Sequence, residues 1–190
     1  MKVNEKYLVV VSGPSGSGKD TVVKELISRR PDMNLAVSCT SRGKRDYEQD
    51  GEHYFFVSRE EFLRRVSKGG MLEYTEYSGN YYGTPLDEIE NRIDNEETVI
   101  LVIEVNGAKR VKELFPDSLL VFVVPPSLDE LDRRLRLRNT ESEVERGRRM
   151  EIAQVEMSRL ADYDRVIEND IVENCAVKLE KCIEEWQRGH

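Results

Sequence analysis

Residues Gly13-Pro14-Ser15-Gly16-Ser17-Gly18-Lys19 form a G-x-x-x-x-G-K pattern, and no other stretch limits the possible folds of this chain as strongly. The continuous apolar run Tyr7–Val11 precedes it and a helical pattern follows, so the sequence sets a glycine-rich turn between a buried strand and a helix N-terminus. In that setting backbone N–H groups and the positive end of the helix wrap a phosphate. Lys19 then reaches the β- and γ-phosphates and Thr21 can bond the α-phosphate. Asp20 occupies the position where the general pattern has Ser or Thr for Mg²⁺. Two readings of Asp20 stand open: a hard oxygen ligand for Mg²⁺, direct or through water, or a helix cap with no metal role. The loop implies a nucleoside triphosphate and does not by itself separate GTPases, motors and kinases.

Two further buried-strand patterns, Val99–Ile103 and Leu119–Val124, are each followed by a helical pattern, at Asn106–Leu114 and Ser127–Arg138. Ser127 and Glu130 form a capping box at the second. Strands alternating with helices predict a parallel sheet with helices on both faces, an α/β phosphate-loop core. The stretch from about 35 to 94 differs, with short alternating segments at His53–Val57 and Met71–Tyr77. It carries a helix Ser58–Lys68 capped by Ser58 with Glu61, and a second helix expected to start with Thr84 as N-cap and Pro85 at its first position. This stretch is expected to be a small mixed lobe inserted into a single domain of 190 residues, with the core at 1–34 and 95–190. A capping box of Thr140 with Glu143 predicts a long helix to about Ala161, then a short strand Arg165–Ile167 and a closing amphipathic helix Ile171–Trp186.

The net charge is −8 with 35% charged residues, which argues against a general nucleic-acid binder and requires any polyanion site to be locally basic. Cys39, Cys175 and Cys182 form no CxxC pair, so a disulfide framework or a Cys-based metal site is not expected. No apolar stretch approaches the ~20 residues of a membrane span. A cytoplasmic protein acting on small molecules, monomeric or homodimeric, is the expectation.

Several motifs then converge. Val37-Ser38-Cys39-Thr40-Ser41-Arg42, with Arg45, Glu48, Gly51 and Tyr54, resembles the GMP-binding segment of the guanylate kinase family. Glu73 followed by Ser78-Gly79-Asn80-Tyr81-Tyr82-Gly83-Thr84 does so too, as do Ile100–Gly107, Val124–Ser127 and Arg134 through Glu141, in the family's order over nearly the whole chain. The resemblance implies phosphoryl transfer from ATP, with Mg²⁺, to GMP. It places Ser38, Glu73, Thr84 and Glu104 at the base and Arg42, Arg45, Tyr54 and Tyr82 at the GMP phosphate, with Glu48 orienting an arginine. The chemistry agrees: guanine offers donors at N1 and N2, which carboxylates accept, and acceptors that hydroxyls can meet. A phosphate needs cations in a fork. Two departures from the family pattern are Val102, where many members carry an acid, and Gly43-Lys44 in place of Thr-Pro.

Between positions 133 and 149 lie seven arginines, at 133, 134, 136, 138, 146, 148 and 149, the basic site an acidic chain needs. Arg134 and Arg138 share a helix face. Two helices joined by a short polar turn, about 134–155, make a lid over ATP, and the resemblance assigns Arg134, Arg138 and Arg149 to the transferring phosphoryl group. Salt bridges with nearby acids account for Arg133, Arg136 and Arg146. Asn169 resembles the family residue near the adenine. Two rival readings are a kinase of another small phosphorylated acceptor and a related protein-binding module without activity.

Overall fold

The computed structural model describes residues 4–77, 79–137 and 143–189. In chain order the elements are β1 (Leu8–Ser12), α1 (Lys19–Arg29), β2 (Met33–Leu35), β3 (Cys39–Thr40), β4 (Phe55–Phe56), α2 (Arg59–Ser67), β5 (Met71–Tyr77), β6 (Asn80–Pro85) and α3 (Leu86–Asp94). They continue as β7 (Thr98–Val102), α4 (Val105–Leu114), β8 (Leu119–Val124), α5 (Leu128–Leu137), α6 (Glu143–Met157), β9 (Arg165–Glu168) and α7 (Val172–Gly189).

The core is a five-stranded sheet in the order β2-β7-β1-β8-β9, all pairs parallel. All five residues of β1 are buried, as expected of a central strand covered on both faces. Alternation sorts its side chains. Val9 and Val11 join a cluster with Val22, Val23 and Leu26 of α1 and Leu179 and Ile183 of α7. Leu8 and Val10 face the other way, into Ile89 and Ile93 of α3 and Ala108 and Val111 of α4. Each of these four helices therefore contributes one apolar stripe to one face of the sheet.

From β1 the chain moves toward β2 on one side, whereas from β8 it moves to β9 on the other. The crevice at the carboxyl ends of strands lies at such a reversal, and β1 ends there in the phosphate loop. A second sheet, β4-β3-β6-β5, is built from the stretch between β2 and α3. It is mixed, with β3–β4 parallel and β3–β6 and β5–β6 antiparallel. Its own small core holds Cys39, Phe62 of α2 and Met71.

The capping boxes at α2 and α5 form, with Ser58 Oγ accepting from the Glu61 N–H and Ser127 Oγ from the Glu130 N–H. The expected cap at Thr84 does not. Thr84 and Pro85 finish β6, and α3 starts at Leu86 with extended Pro85 before it. The Thr84 hydroxyl is drawn instead to a partner across the strand pair. Strand β2 was not anticipated: three residues with one buried side chain carry no periodicity. The long helix ends at Met157, earlier than Ala161, and a short 3₁₀ turn at Leu160–Asp162 leads into β9. Its expected cap, Thr140, lies outside the described residues. Among the described residues, no helix is long and apolar enough to cross a membrane.

Candidate active site

The phosphate loop is held open by glycine. Gly13, Gly16 and Gly18 all have positive φ, and a Cβ on Gly13 would stand 2.3 Å from the Val123 carbonyl oxygen. Gly18, left-handed at φ 85°, is the N-cap of α1, where a side-chain oxygen would otherwise compete for the space before the first N–H groups. The Ser17 N–H closes the loop on the Pro14 carbonyl at 3.0 Å. Pro14, Gly16 and Ser17 are buried and Ser15 is half-buried.

Three side chains brace the loop from outside. Asn169, 2% exposed beyond the end of β9, donates from Nδ2 to the Ser17 carbonyl at 2.7 Å. A Cβ on Gly18 would stand 2.4 Å from that same Nδ2. Arg134 of α5 donates to the Asn169 carbonyl at 2.9 Å and to the Ser17 carbonyl at 3.3 Å, and its Nε bonds Glu130 at 2.8 Å. Arg149 of α6 donates to Ser15 Oγ at 2.9 Å. Two lid arginines and Asn169 thus meet on the loop. Arg138 lies outside the described residues.

Lys19 opens α1 and is only 7% exposed. Its ammonium is 3.9 Å from the Glu104 carboxylate. Glu104 is exposed at the junction of β7 and α4. Asp20 and Thr21 are exposed on the first turn of α1.

Across the crevice, Glu73 of β5 faces Thr84 of β6 in the antiparallel register, and the Thr84 hydroxyl donates to Glu73 Oε1 at 2.8 Å. Thr84 is fully buried. Burial raises the Glu73 carboxyl above its usual range and the nearby Glu104 charge adds to this, while bonds from Thr84 oppose it. The two carboxylates therefore share one neighbourhood. Ser38, Tyr54, Thr84, Asp20 and Val102 line a single cleft of about 150 Å³ between α1 and the small sheet.

A second cluster surrounds Arg42. Its guanidinium makes a two-point pair with Glu48 at 2.7 and 2.8 Å and lies over the rings of Tyr54 at 5.4 Å and Phe56 at 5.6 Å. Tyr54 and Tyr82 meet edge to face at 6.2 Å. The hydrogen bonds from Arg42 and the Arg45 N–H hold the Glu48 carboxyl down at about 2. Only the backbone of Arg45 joins this cluster: its side chain is exposed and donates to Tyr47 Oη at 2.8 Å. Arg133 and Arg136 pair with Glu130 and Asp132, and Arg146 with Asp132 and Glu143, as the sequence suggested.

The family model described as guanylate kinase matches residues 5–186. The chain belongs to the guanylate kinase family. It is 43% identical over 183 residues to the guanylate kinase of Desulfitobacterium hafniense, covering 96% of this chain and 92% of that one. It is 43% identical over 183 residues to that of Clostridioides difficile, covering 96% and 89%. The crystal structure of guanylate kinase from Anaplasma phagocytophilum superposes with a TM-score of 0.73 at 32% identity, over 95% of this chain and 85% of that chain. Against this guanylate kinase framework, the sequence reading missed one group at the site. Burial raises the carboxyl of Glu156, on α6, to about 7, with the Glu104 charge adding to this and Lys19 opposing it. It sits in a run of mixed charge and apolar residues that gives no signal of a site.

Proposed function

We propose that the chain transfers the γ-phosphoryl group of ATP to GMP, giving ADP and GDP. One juxtaposition carries this reading: Lys19, at the donor loop, stands 3.9 Å from Glu104, which shares its surroundings with the base-facing pair Glu73–Thr84. A triphosphate on the loop and a guanine on the small sheet would meet end to end between them. Glu73 and Glu104 accept from guanine N1–H and N2–H, and the hydroxyls of Ser38 and Thr84 complete the base contacts. Arg42, with Arg45, Tyr54 and Tyr82, takes the GMP phosphate, Glu48 fixing the Arg42 fork.

Closure of the lobe at about 35–94 and the lid at about 134–155 excludes water and aligns the groups. A GMP phosphate oxygen, already anionic, bonds to the γ-phosphorus, and the bond to the bridging oxygen breaks with its electron pair leaving on ADP. No general base is needed. Lys19, Arg134, Arg138 and Arg149 stabilise charge on the transferring group, and residues 13–21 with Asn169 bind ATP.

Mg²⁺, which guanylate kinases use with ATP, supplies charge neutralisation on the β- and γ-phosphates. Among the described residues no group of three or more His, Cys, Asp or Glu is arranged to hold a metal. An ion that keeps its waters and binds mainly phosphate oxygens needs only one or two carboxylates from the protein. Asp20, exposed on the first turn of α1, meets that requirement, whereas the Val102 side chain offers no oxygen. With a net charge of −8, the chain is read as a cytoplasmic enzyme of small molecules rather than a partner of nucleic acid or membrane.

A coupled ADP-release assay with MgATP, offering GMP, AMP, CMP, UMP and dTMP separately, tests the reading. Turnover is expected with GMP alone of the five, and turnover with another acceptor but not GMP would overturn it. In the same assay Glu48→Ala is expected to raise KM for GMP about tenfold, the scale of a lost hydrogen bond to a charged group, with a smaller change in kcat. An unchanged KM would mean that Arg42 keeps its place without Glu48.

A further inference from the structure

A second cavity, of about 360 Å³, opens between α4 and the segment that leads from α6 into β9. It shares no lining residue with the cleft that holds Ser38 and Thr84. Its volume falls in the range of small-molecule sites, roughly 300–1,000 Å³. Val105, Leu120 and Tyr163 give it apolar surface. Val105, Lys109 and Lys112 recur at helical spacing along α4, so a single face of that helix forms one wall. Arg159, Asp162 and Tyr163 form the other.

The charges around this cavity do not cancel. Asp162 is paired with Arg159 at 2.6 Å, Asp164 with Lys112 at 3.0 Å and Glu113 with Arg110 at 3.5 Å. Lys112 also donates to the Ser118 carbonyl at 2.8 Å, so its ammonium is well occupied. Lys109, exposed on α4, joins no hydrogen bond or ion pair among the described residues. Arg159 uses its Nε for Asp162, and its terminal nitrogens bond none of the described residues. Each wall therefore carries a cation with donors to spare, above apolar surface. That combination suits an organic anion: the body lies on Val105, Leu120 and Tyr163, and the acidic group accepts from both cations.

Both walls lead to the machinery of phosphoryl transfer. Val105 directly follows Glu104, and Arg159 stands just past the end of α6, the helix whose Arg149 reaches the phosphate loop. Tyr163 meets Phe122 edge to face at 4.8 Å, and Phe122 lies beside Ser12 in the β1–β8 register, where the phosphate loop begins. We propose that the cavity is a regulatory site for a small organic anion with an apolar or aromatic body, whose acidic group bridges Lys109 and Arg159 and ties the base of α6 to α4. Occupancy restrains the lid and slows turnover without entering either nucleotide site. The site goes beyond the phosphoryl-transfer reading, and binding to it does not depend on which acceptor is used.

The probe is anilinonaphthalene sulfonate, an aromatic body with one fixed negative charge. It is titrated by fluorescence into the full chain saturated with GMP and a non-hydrolysable analogue of MgATP, so that both nucleotide sites are filled. Saturable binding of one probe per chain is expected. K109E and R159Q are each expected to weaken it about tenfold, the scale of a lost hydrogen bond to a charged group. The same charge reversal at Lys181, exposed on α7, is expected to leave it unchanged. Methyl NMR of the wild type locates the probe whatever the variants do, and the Val105 and Leu120 signals are expected to shift with occupancy. Binding that fails to saturate, that ignores K109E and R159Q, or that leaves those methyl signals in place would overturn the site. In the coupled assay, saturating probe is expected to lower kcat about fivefold, the lower end of coupling between distinct sites, with KM for GMP and ATP unchanged. A rise in either KM, or unaltered turnover with the cavity filled, would overturn the regulatory role. The binding arms need no turnover, so they stand even if another acceptor replaces GMP.

Discussion

Lys19→Ala is expected to lower kcat for GMP phosphorylation about 10³-fold, at the upper end of what a single preorganised electrostatic group supplies. Lys19 is 7% exposed at the mouth of a loop whose other contributions are neutral N–H dipoles, so it brings a full charge to the bound triphosphate. That charge acts in a water-poor crevice, where it is worth more than on the surface. Its ion pair with Glu104, at 3.9 Å and with an exposed partner, contributes little to stability. The fold should therefore survive, with a thermal unfolding midpoint close to that of the wild type. Steady-state kinetics with saturating MgATP and a melting curve decide the matter. A kcat within tenfold of the wild type would remove Lys19 from the transition state.

Arg149→Ala is expected to cost about 10³-fold in kcat, the lower range for a positioned arginine in phosphoryl transfer. The KM for GMP should stay near its wild-type value, because Arg149 meets the donor loop at Ser15. Helix α6 has an apolar seat of its own. Met150 and Ala153 pack it against Leu131 and Leu135 of α5. Arg149→Lys should recover only part of the rate, since a point charge lacks the planar fork that matches phosphate oxygens. Full recovery by Lys would show that charge alone matters, and a large rise in KM for GMP would place Arg149 on the acceptor side.

The features legible in the sequence were those fixed by local chemistry. Phosphate-loop glycines, continuous apolar strands and Ser-x-x-Glu caps each state their conformation within a few residues. The structure bears out the parallel sheet and the caps of α2 and α5. Thr84 shows where local reading fails. Thr-Pro before a helical pattern has the form of a cap, yet a carboxylate eleven residues earlier, brought opposite by strand pairing, claims the hydroxyl. The sequence reading expected Arg134 and Asn169 near ATP but not that they bond the Ser17 carbonyl, because the ends of α5 and β9 meet only in the fold. Glu156 was silent for the same reason: the charges that shift its carboxyl, on Glu104 and Lys19, stand far earlier in the chain.

The two sheets divide the labour of the molecule, and this bears on its redesign. The proposed base contacts Glu73 and Thr84 stand on β5 and β6, in a sheet with its own small core of Cys39, Phe62 and Met71, whereas the phosphate loop hangs from the parallel sheet. Acceptor preference is therefore expected to be tunable at Glu73 and Thr84, whose mutual hydrogen bond lies within the small sheet. A variant library confined to those two codons would explore new nucleobases while leaving the sequence of the phosphate loop unchanged.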